Sequence, residues 1–463
     1  MTRERISPRR LPDLLVNKYE KSGPRYTSYP TAPHFHADFP VNSVLERWQS
    51  SNTPAAPGLS LYLHLPFCRQ RCTYCGCYTL IGQDDGVRKS YLEALLRQAD
   101  WALDVLSPER PLQQLSLGGG TPTSLTLDEM QFLVTGLRDR LSVDELGERA
   151  IEVDPRWVDA NYLDLLVDLG FNRVSFGVQD LDPQVQENIN RILPVEKLEA
   201  HMGHLHKRGL TAINLDLIYG LPGQTPEGFS RTVETIIRLR PSRIATFGYA
   251  HVPWVSPHQK ELEQHGLPDA TERMELFGLA YEMLLDAGWR HVGMDHFALP
   301  EDELVVALDE RSLTRNFMGY TTRRGLDLVN LGASAIGSVA GTYVQNHKAI
   351  SDCMSAQGTD LWAKGYLLGA EDLLRRDVIL ELFCNFHLEI PAIEEHHGIV
   401  FAEHFQSELN ALKEFVDDGL AVVTDASLTV TPLGRFFIRN IAMTFDTFLQ
   451  SSSSNQHRYS RTI

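Results

Sequence analysis

Six short apolar runs, LSLYLHLPF, LQQLSLGGG, RAIEVDP, RVSFGVQ, AINLDLIYG and RIATFGYA, recur between residues 58 and 250 at intervals of about 25–40 residues. Each ends in glycine, proline or polar residues, and each interval can hold a helix. Strands this continuously apolar have no face to turn to water, so they belong in a parallel sheet covered on both sides. Six βα units fall short of the eight in a closed α/β barrel, and we therefore expect an α/β fold with a partial (β/α)6 barrel. Such barrels gather their chemistry at the C-terminal strand ends, where this chain sets its polar and glycine-rich punctuation.

The flanks read differently. Residues 1–56 hold many turn formers, as in SGPRYTSYPTAPHF, and suggest an arm laid over a barrel spanning 57–350. Residues 351–463 read as a mainly helical C-terminal domain, with DLWAKGYLLGAEDLLRRDVILELFCNF and FAEHFQSELNALKEFVDDG as helices. GLAVVTDASLTVTPLGRFFIRNIAMTF then reads as a two-strand wing followed by a helix, a winged-helix-like pattern. The tail SSSSNQHRYSRTI opens as low-complexity sequence and is expected to be mobile at its serines.

A winged helix can bind DNA, but its recognition stretch offers only Arg435 and Arg439 as cations, and the chain carries a net charge of −17. Neutralising phosphates needs a concentrated basic surface, so we expect packing against the barrel and no nucleic-acid partner. No stretch approaches the roughly 18 apolar residues of a membrane helix. The N-terminus has no secretory apolar core, and Glu4 and Asp13 argue against a transit peptide, so a cytoplasmic protein is expected. Nothing demands more than a monomer. An acidic chain that handles an anionic substrate must collect its cations locally. The first 30 residues do so, with Arg3, Arg5, Arg9, Arg10, Lys18, Lys21 and Arg25 against Glu4, Asp13 and Glu20.

Four of the six cysteines, Cys68, Cys72, Cys75 and Cys77, crowd into ten residues after the first apolar run. Such crowding suits metal ligation better than a disulfide framework. Three thiolates spaced Cys68-x3-Cys72-x2-Cys75 on one loop can hold three irons of a [4Fe–4S] cluster and leave the fourth open for a chelating cosubstrate. Four cysteines can also bind zinc, but zinc sites usually draw two separated pairs from different segments. Cys353 and Cys384 read as buried thiols without a role. His396 and His397 are sequence neighbours that a helix would point in different directions. His296 can face the barrel mouth or be structural.

Other strand ends carry polar residues too. Gly118, Gly119 and Gly120 let a ligand approach the backbone, whose N–H groups can meet a carboxylate. Glu152 can accept hydrogen bonds from ribose hydroxyls. Gln179, Arg191, Asp216 and Ala250 fall on or just after later strands and share the rim that a barrel site uses.

The cysteine loop, with aromatic Tyr74 before its third cysteine, resembles the radical S-adenosylmethionine superfamily. NKYEKSGPRYTSYPTA, HLPFCRQRCTYCGC, LGGGTPTSL, IEVDP, FGVQD, NLDLIYGLPGQTP, GMDHFA and RNFMGYTT narrow the resemblance to the oxygen-independent coproporphyrinogen III dehydrogenase family. That resemblance implies an oxidoreductase of heme synthesis converting coproporphyrinogen III to protoporphyrinogen IX, with an unidentified electron donor and acceptor. It implies a [4Fe–4S] cluster on Cys68, Cys72 and Cys75, and two S-adenosylmethionine molecules. Tyr62, Gly119, Glu152 and Ile336 match the positions around the cluster-bound molecule. Tyr74, Gly120, Thr121, Gln179, Arg191, Asp216 and Ala250 match those around the second. Cys77 belongs to the family's CxC ending and is not a cluster ligand there. Arg25, Tyr26 and Tyr29 suggest a lid over a tetracarboxylate substrate, because a guanidinium fork can take both oxygens of a carboxylate. The related heme-chaperone branch usually has an aromatic residue in place of Cys77 and lacks the RYTSYP arm. A heme carrier is therefore the alternative, followed by a heme-degrading methyltransferase. The segments ILPVEK after Arg191 and VPWVSP after His251 depart from the family pattern, and Tyr74 stands where some relatives have Phe.

Overall fold

A computed structural model of the chain describes residues 7–141, 143–450 and 459–462. The four serines that open the tail and the cations Arg3 and Arg5 lie outside the described residues. Six of the apolar runs form parallel strands: β1 (Leu59–Leu65), β2 (Leu112–Gly119), β3 (Val143–Val153), β4 (Arg173–Gln179), β5 (Ile213–Tyr219) and β6 (Arg243–Gly248). Helices fill the intervals, among them Asp85–Leu106, Leu127–Arg138 and Pro226–Leu239. Capping is explicit in the sequence: Asp84 accepts from the Val87 N–H, and Thr126 and Glu129 close a reciprocal capping box.

The sheet is wider than the six units. β7 (Arg290–Gly293) and β8 (His296–Ala298) add an antiparallel hairpin beside β6. On the opposite flank β9 (Asp327–Leu331) runs parallel to β1. Antiparallel β10 (Ile336–Val339), β11 (Thr342–Asn346) and β12 (Trp362–Leu367) follow it. The order is thus β12-β11-β10-β9-β1-β2-β3-β4-β5-β6-β8-β7, an open twelve-stranded sheet. β12 corrects the expectation of a helix through WAKGYL. The helix starts only at Ala370, while Gly365 lies against the Phe39 ring, where a Cβ would stand 2.5 Å from Cδ2. That close approach lets the arm add an isolated bridge, His36 to Gly365, to the outer edge of the sheet.

The arm is more ordered than its turn formers suggest. VNSVLERWQS is a helix, Val41–Ser50, whose Val44 and Trp48 bury one turn apart. Phe35 stacks on Tyr343 of β11, with ring centres 5.4 Å apart. Tyr19, Tyr26 and Tyr29 instead bury in the core of the C-terminal domain, and Tyr26 Oη donates to Asp446 at 2.8 Å. The arm therefore joins barrel and C-terminal domain.

The C-terminal part has a three-stranded antiparallel sheet, His387–Glu389, Ser427–Val430 and Ala421–Val423, set among short helices. Phe436 packs edge-on against Tyr281 of the barrel, centroids 5.2 Å apart. Arg435 lies over the Phe386 ring, and Arg439 is 5 % exposed with its guanidinium on backbone carbonyls of Pro24 and Arg461. Both cations of the recognition stretch are thus turned inward. No helix among the described residues is long and apolar enough to cross a membrane.

Candidate active site

The cysteine loop leaves the C-terminal end of β1. Its base is closed by the pairing of Phe67–Cys68 with Leu80–Ile81. Its tip is pinned to the segment after β4: Thr73 donates to the carbonyls of Ile189 and Asn188, and the Asn190 amide donates to Arg71 O at 2.8 Å. A second strap comes from VPWVSPHQ. The Gln259 amide donates to Tyr74 O at 2.7 Å and to Ala250 O at 3.2 Å, and His258 Nε2 lies 2.8 Å from Cys75 O. The loop is therefore preorganised by backbone hydrogen bonds rather than left to its ligands.

Cys72 is buried, while Cys68 and Cys75 are half-buried. Two guanidiniums reach the Cys72 sulfur, Arg191 Nη1 at 3.5 Å and Arg156 Nη2 at 3.6 Å. Asp154 binds both, at 3.1 and 2.7 Å, and all three side chains are at most 7 % exposed. Burial alone would raise the Asp154 carboxyl, but Arg191 and Arg156 outweigh it and hold it below its usual range. Cys77 hydrogen-bonds Cys75, which brings the Cys75 thiol down to about 6 against the opposing effect of burial. The same contact pushes the exposed Cys77 thiol well up. Burial raises Cys68 to about 11, and Thr121 Oγ1, 3.4 Å away, opposes that rise. Three sulfurs from one loop, framed by cations and with Cys77 engaged by Cys75, suit a cluster held by three thiolates.

Opposite the loop, the strand ends form a glycine shelf. Gly119 sits at φ +114° with its Cα against the His64 ring, where a Cβ would stand 2.7 Å away. A Cβ on Gly120 would meet the Pro66 backbone at 2.7 Å. The Gly119 N–H donates to Glu152 Oε2 at 3.1 Å. Tyr62 and Ser116 are cross-strand partners, as are Glu152 and Ser175, and Gly177 and Asp216. The pairings set Tyr62, Glu152 and Asp216 on one face of the sheet at successive steps, close enough for Glu152 to act on the Tyr62 hydroxyl and Asp216 on Glu152. The protein wall raises Glu152 to about 7, Asp216 adds to the rise, and the Gly119 N–H opposes it. Burial also raises Asp216, which accepts from Ser175 and Asn214. Gln179 ends β4 at φ +70°, and its amide and the Arg191 fork both lie beside Gly177. Tyr74 packs among Val185, Ile189 and Tyr249. Ile336 opens β10, two strands from β1, and packs with Phe35 and Tyr343.

A profile described as the radical SAM superfamily matches residues 62–236, and one described as the HemN C-terminal domain matches 368–437. The oxygen-independent coproporphyrinogen III oxidases of Synechocystis sp. and Escherichia coli K12 are each 40% identical to this chain. The first aligns over 97% of both chains, the second over 97% of this chain and 98% of its own. The chain belongs to the oxygen-independent coproporphyrinogen III oxidase family. The solved structure described as coproporphyrinogen III oxidase (HemN) from Escherichia coli, a radical SAM enzyme, superposes with a TM-score of 0.89. It is 38% identical over 94% of this chain and 99% of its own. Membership of this oxidase family brings a [4Fe–4S] cluster and S-adenosylmethionine to the site.

Several residues of the site leave no signal in the sequence pattern. Asp154 and Arg156 stand in the same IEVDPRW stretch as Glu152, but a buried charge triad leaves no periodic trace. Gln259 lies two residues beyond VPWVSP, where a lone glutamine carries no signal. Asp295, which takes Arg25 Nη1 at 2.7 Å and His296 Nδ1 at 2.8 Å, was hidden because its partners lie on the distant arm and the adjacent strand.

Proposed function

We propose that this chain converts coproporphyrinogen III to protoporphyrinogen IX without oxygen, turning two propionates into vinyl groups. Alignment along 97% of relatives so named, with three thiols at the mouth of the barrel, carries the reading. Cys68, Cys72 and Cys75 would hold a [4Fe–4S] cluster, whose chemistry would be to supply the electron for reductive cleavage of S-adenosylmethionine to a 5′-deoxyadenosyl radical. At each propionate one β-hydrogen atom is removed, CO2 leaves, and one electron passes to an acceptor outside the chain. The protein's share is positioning: the shelf and strand rim hold the target C–H bond near the radical carbon, and the arm keeps water out.

In this reading Tyr62, Gly119, Glu152 and Ile336 contact the cluster-bound S-adenosylmethionine. Tyr74, Gly120, Thr121, Gln179, Arg191, Asp216 and Ala250 contact a second molecule. Support comes from the shared sheet face of Tyr62, Glu152 and Asp216 and from the bare backbone at Gly119 and Gly120. The chain is read as a cytoplasmic monomer that exchanges electrons with an unidentified donor and acceptor.

The reaction is tested by incubating the reconstituted, reduced protein anaerobically with S-adenosylmethionine and coproporphyrinogen III. Expected are 5′-deoxyadenosine and a tetrapyrrole lighter by two CO2 and four hydrogens. Cosubstrate cleavage with unchanged coproporphyrin, given a competent acceptor, refutes the substrate.

Glu152 gives a separate test. A carboxyl at about 7 is largely protonated below that pH, which turns one oxygen into a donor, so the carboxylate is the better acceptor for two ribose hydroxyls. Affinity for S-adenosylmethionine is therefore expected to rise as pH increases through 7. Glu152→Gln keeps an acceptor but does not titrate, so its affinity should be about ten-fold weaker and independent of pH. Calorimetric titration across this range decides it, and a flat wild-type profile would count against the role.

A further inference from the structure

A cavity of about 760 Å³ lies where arm, barrel and C-terminal domain meet. Its volume falls within the range of small-molecule sites. Six cations line it, Lys21, Arg25, Arg273, Arg435, Arg439 and Arg461, against the carboxylates of Glu20 and Asp295. In a chain with 60 acidic and 43 basic residues this is a local inversion of charge. Between the cations the wall is apolar and aromatic, with Tyr219, Tyr249, Trp254, Phe277 and Phe436. Such a wall matches a ligand with a broad hydrophobic body and several peripheral anions.

The cavity adjoins the site already described. Ala250 lines it, and the Gln259 amide that holds Ala250 O also holds Tyr74 O in the cysteine loop. On another side Arg25 reaches Asp295, which holds His296 beside Asp216 of the barrel rim.

The cations differ in what they can offer. Arg439 is committed to the carbonyls of Gly23, Pro24 and Arg461, and Arg273 to Glu20 at 3.0 Å. Lys21 and Arg461 are exposed, and their side chains make no hydrogen bond among the described residues. Both are brought to the rim by a clasp between the arm and the C-terminal segment. Ser22 and Arg461 form an antiparallel bridge, Thr462 N donates to Lys21 O at 2.7 Å, and Gly23 N donates to Ser460 O at 3.1 Å. The clasp is backbone pairing, so it fixes the two cations without using their charge.

We infer that Lys21 and Arg461 are specificity-determining residues that bind propionate carboxylates of the substrate, making the C-terminal segment a wall of the substrate chamber. This rests on the coproporphyrinogen reading. The two cations act together with Arg25, whose fork keeps donors beyond the one given to Asp295. They select for a macrocycle bearing four carboxylates over one bearing two.

The probes are coproporphyrin III, the stable oxidised form with four propionates, and mesoporphyrin, with two. Each is titrated into the reconstituted holoprotein by fluorescence quenching. Lys21→Gln with Arg461→Gln is expected to weaken coproporphyrin III binding at least about ten-fold and mesoporphyrin binding less than about two-fold. KM for coproporphyrinogen III should rise in parallel while kcat is retained, and Lys21→Arg with Arg461→Lys should restore both. Iron content and affinity for S-adenosylmethionine confirm that the variant is folded. Equal losses for the two porphyrins, or none, overturn the inference while wild-type turnover still upholds the reaction. A wild-type holoenzyme that leaves coproporphyrinogen III unchanged overturns both.

Discussion

Cys72→Ala is expected to leave a folded protein without iron–sulfur absorbance and with no measurable turnover. The fall should reach at least about six orders of magnitude, the lower end of enzymatic rate acceleration, because loss of a ligand removes the initiating chemistry itself. Cys72 is the most buried of the four loop cysteines and receives N–H donors from both Arg156 and Arg191. Donors of this kind to a ligating sulfur are levers on cluster stability and potential. Cys77→Ser provides the contrast, since Cys77 touches the site through Cys75. It should retain the iron stoichiometry of the wild type. Iron and sulfide analysis after anaerobic reconstitution, read beside deoxyadenosine formation, separates the two. Full iron content and turnover in Cys72→Ala would refute the three-thiolate assignment.

Period and composition made the barrel legible. The runs from LSLYLHLPF to RIATFGYA match β1 to β6, because strands buried on both faces cannot hide their apolar continuity. The outer strands were harder to read. β10 and β9 are short and carry Gly337 and Asn330, which pack against each other, and β9 takes its place only by pairing with β1, far along the chain. WAKGYL looked helical because it runs into a true helix. Its strand state is imposed by β11 on one side and by His36 of the arm on the other. Tertiary pairing overrides local propensity most readily in segments this short.

The site divides in the same way. The shared loop of Cys68, Cys72 and Cys75 and the glycine shelf were legible because clustered thiols and close backbone approach demand particular residues at particular spacings. The rim residues Glu152 and Asp216 followed from barrel topology. Asp154, Arg156 and Gln259 were not visible, since they act on the loop from β3 and from a distant turn. Arg191 was picked out as a rim residue and a cosubstrate contact. Its fork also bonds Gly177 O, Asp154 and Cys72, so the same residue supports the cysteine loop.

Asp154 is the residue whose removal should cost the most stability. It stands between two guanidiniums that are nearly as buried as itself, and in its absence they face each other and the Cys72 thiol without a counter-charge. Breaking a buried pair in this way typically costs about 3–5 kcal/mol, much more than the same pair contributes relative to an apolar replacement. Asp154→Ala should therefore lower the unfolding free energy of the apoprotein by about that amount at neutral pH, measured by urea titration. The pH dependence has a definite sign. The native carboxyl is held below its unfolded value, so its contribution is fully present above the ordinary Asp range, near pH 4, and is lost as pH falls through the depressed native value. The gap between wild type and variant should accordingly narrow in acid. Pairing Asp154→Ala with Arg191→Met should recover part of the loss, since one stranded guanidinium goes with the substitution. An arginine held only for contact with a cosubstrate would give no such recovery in apoprotein. Additive losses in the double variant would therefore mean that the triad is not the device that seats the cysteine loop.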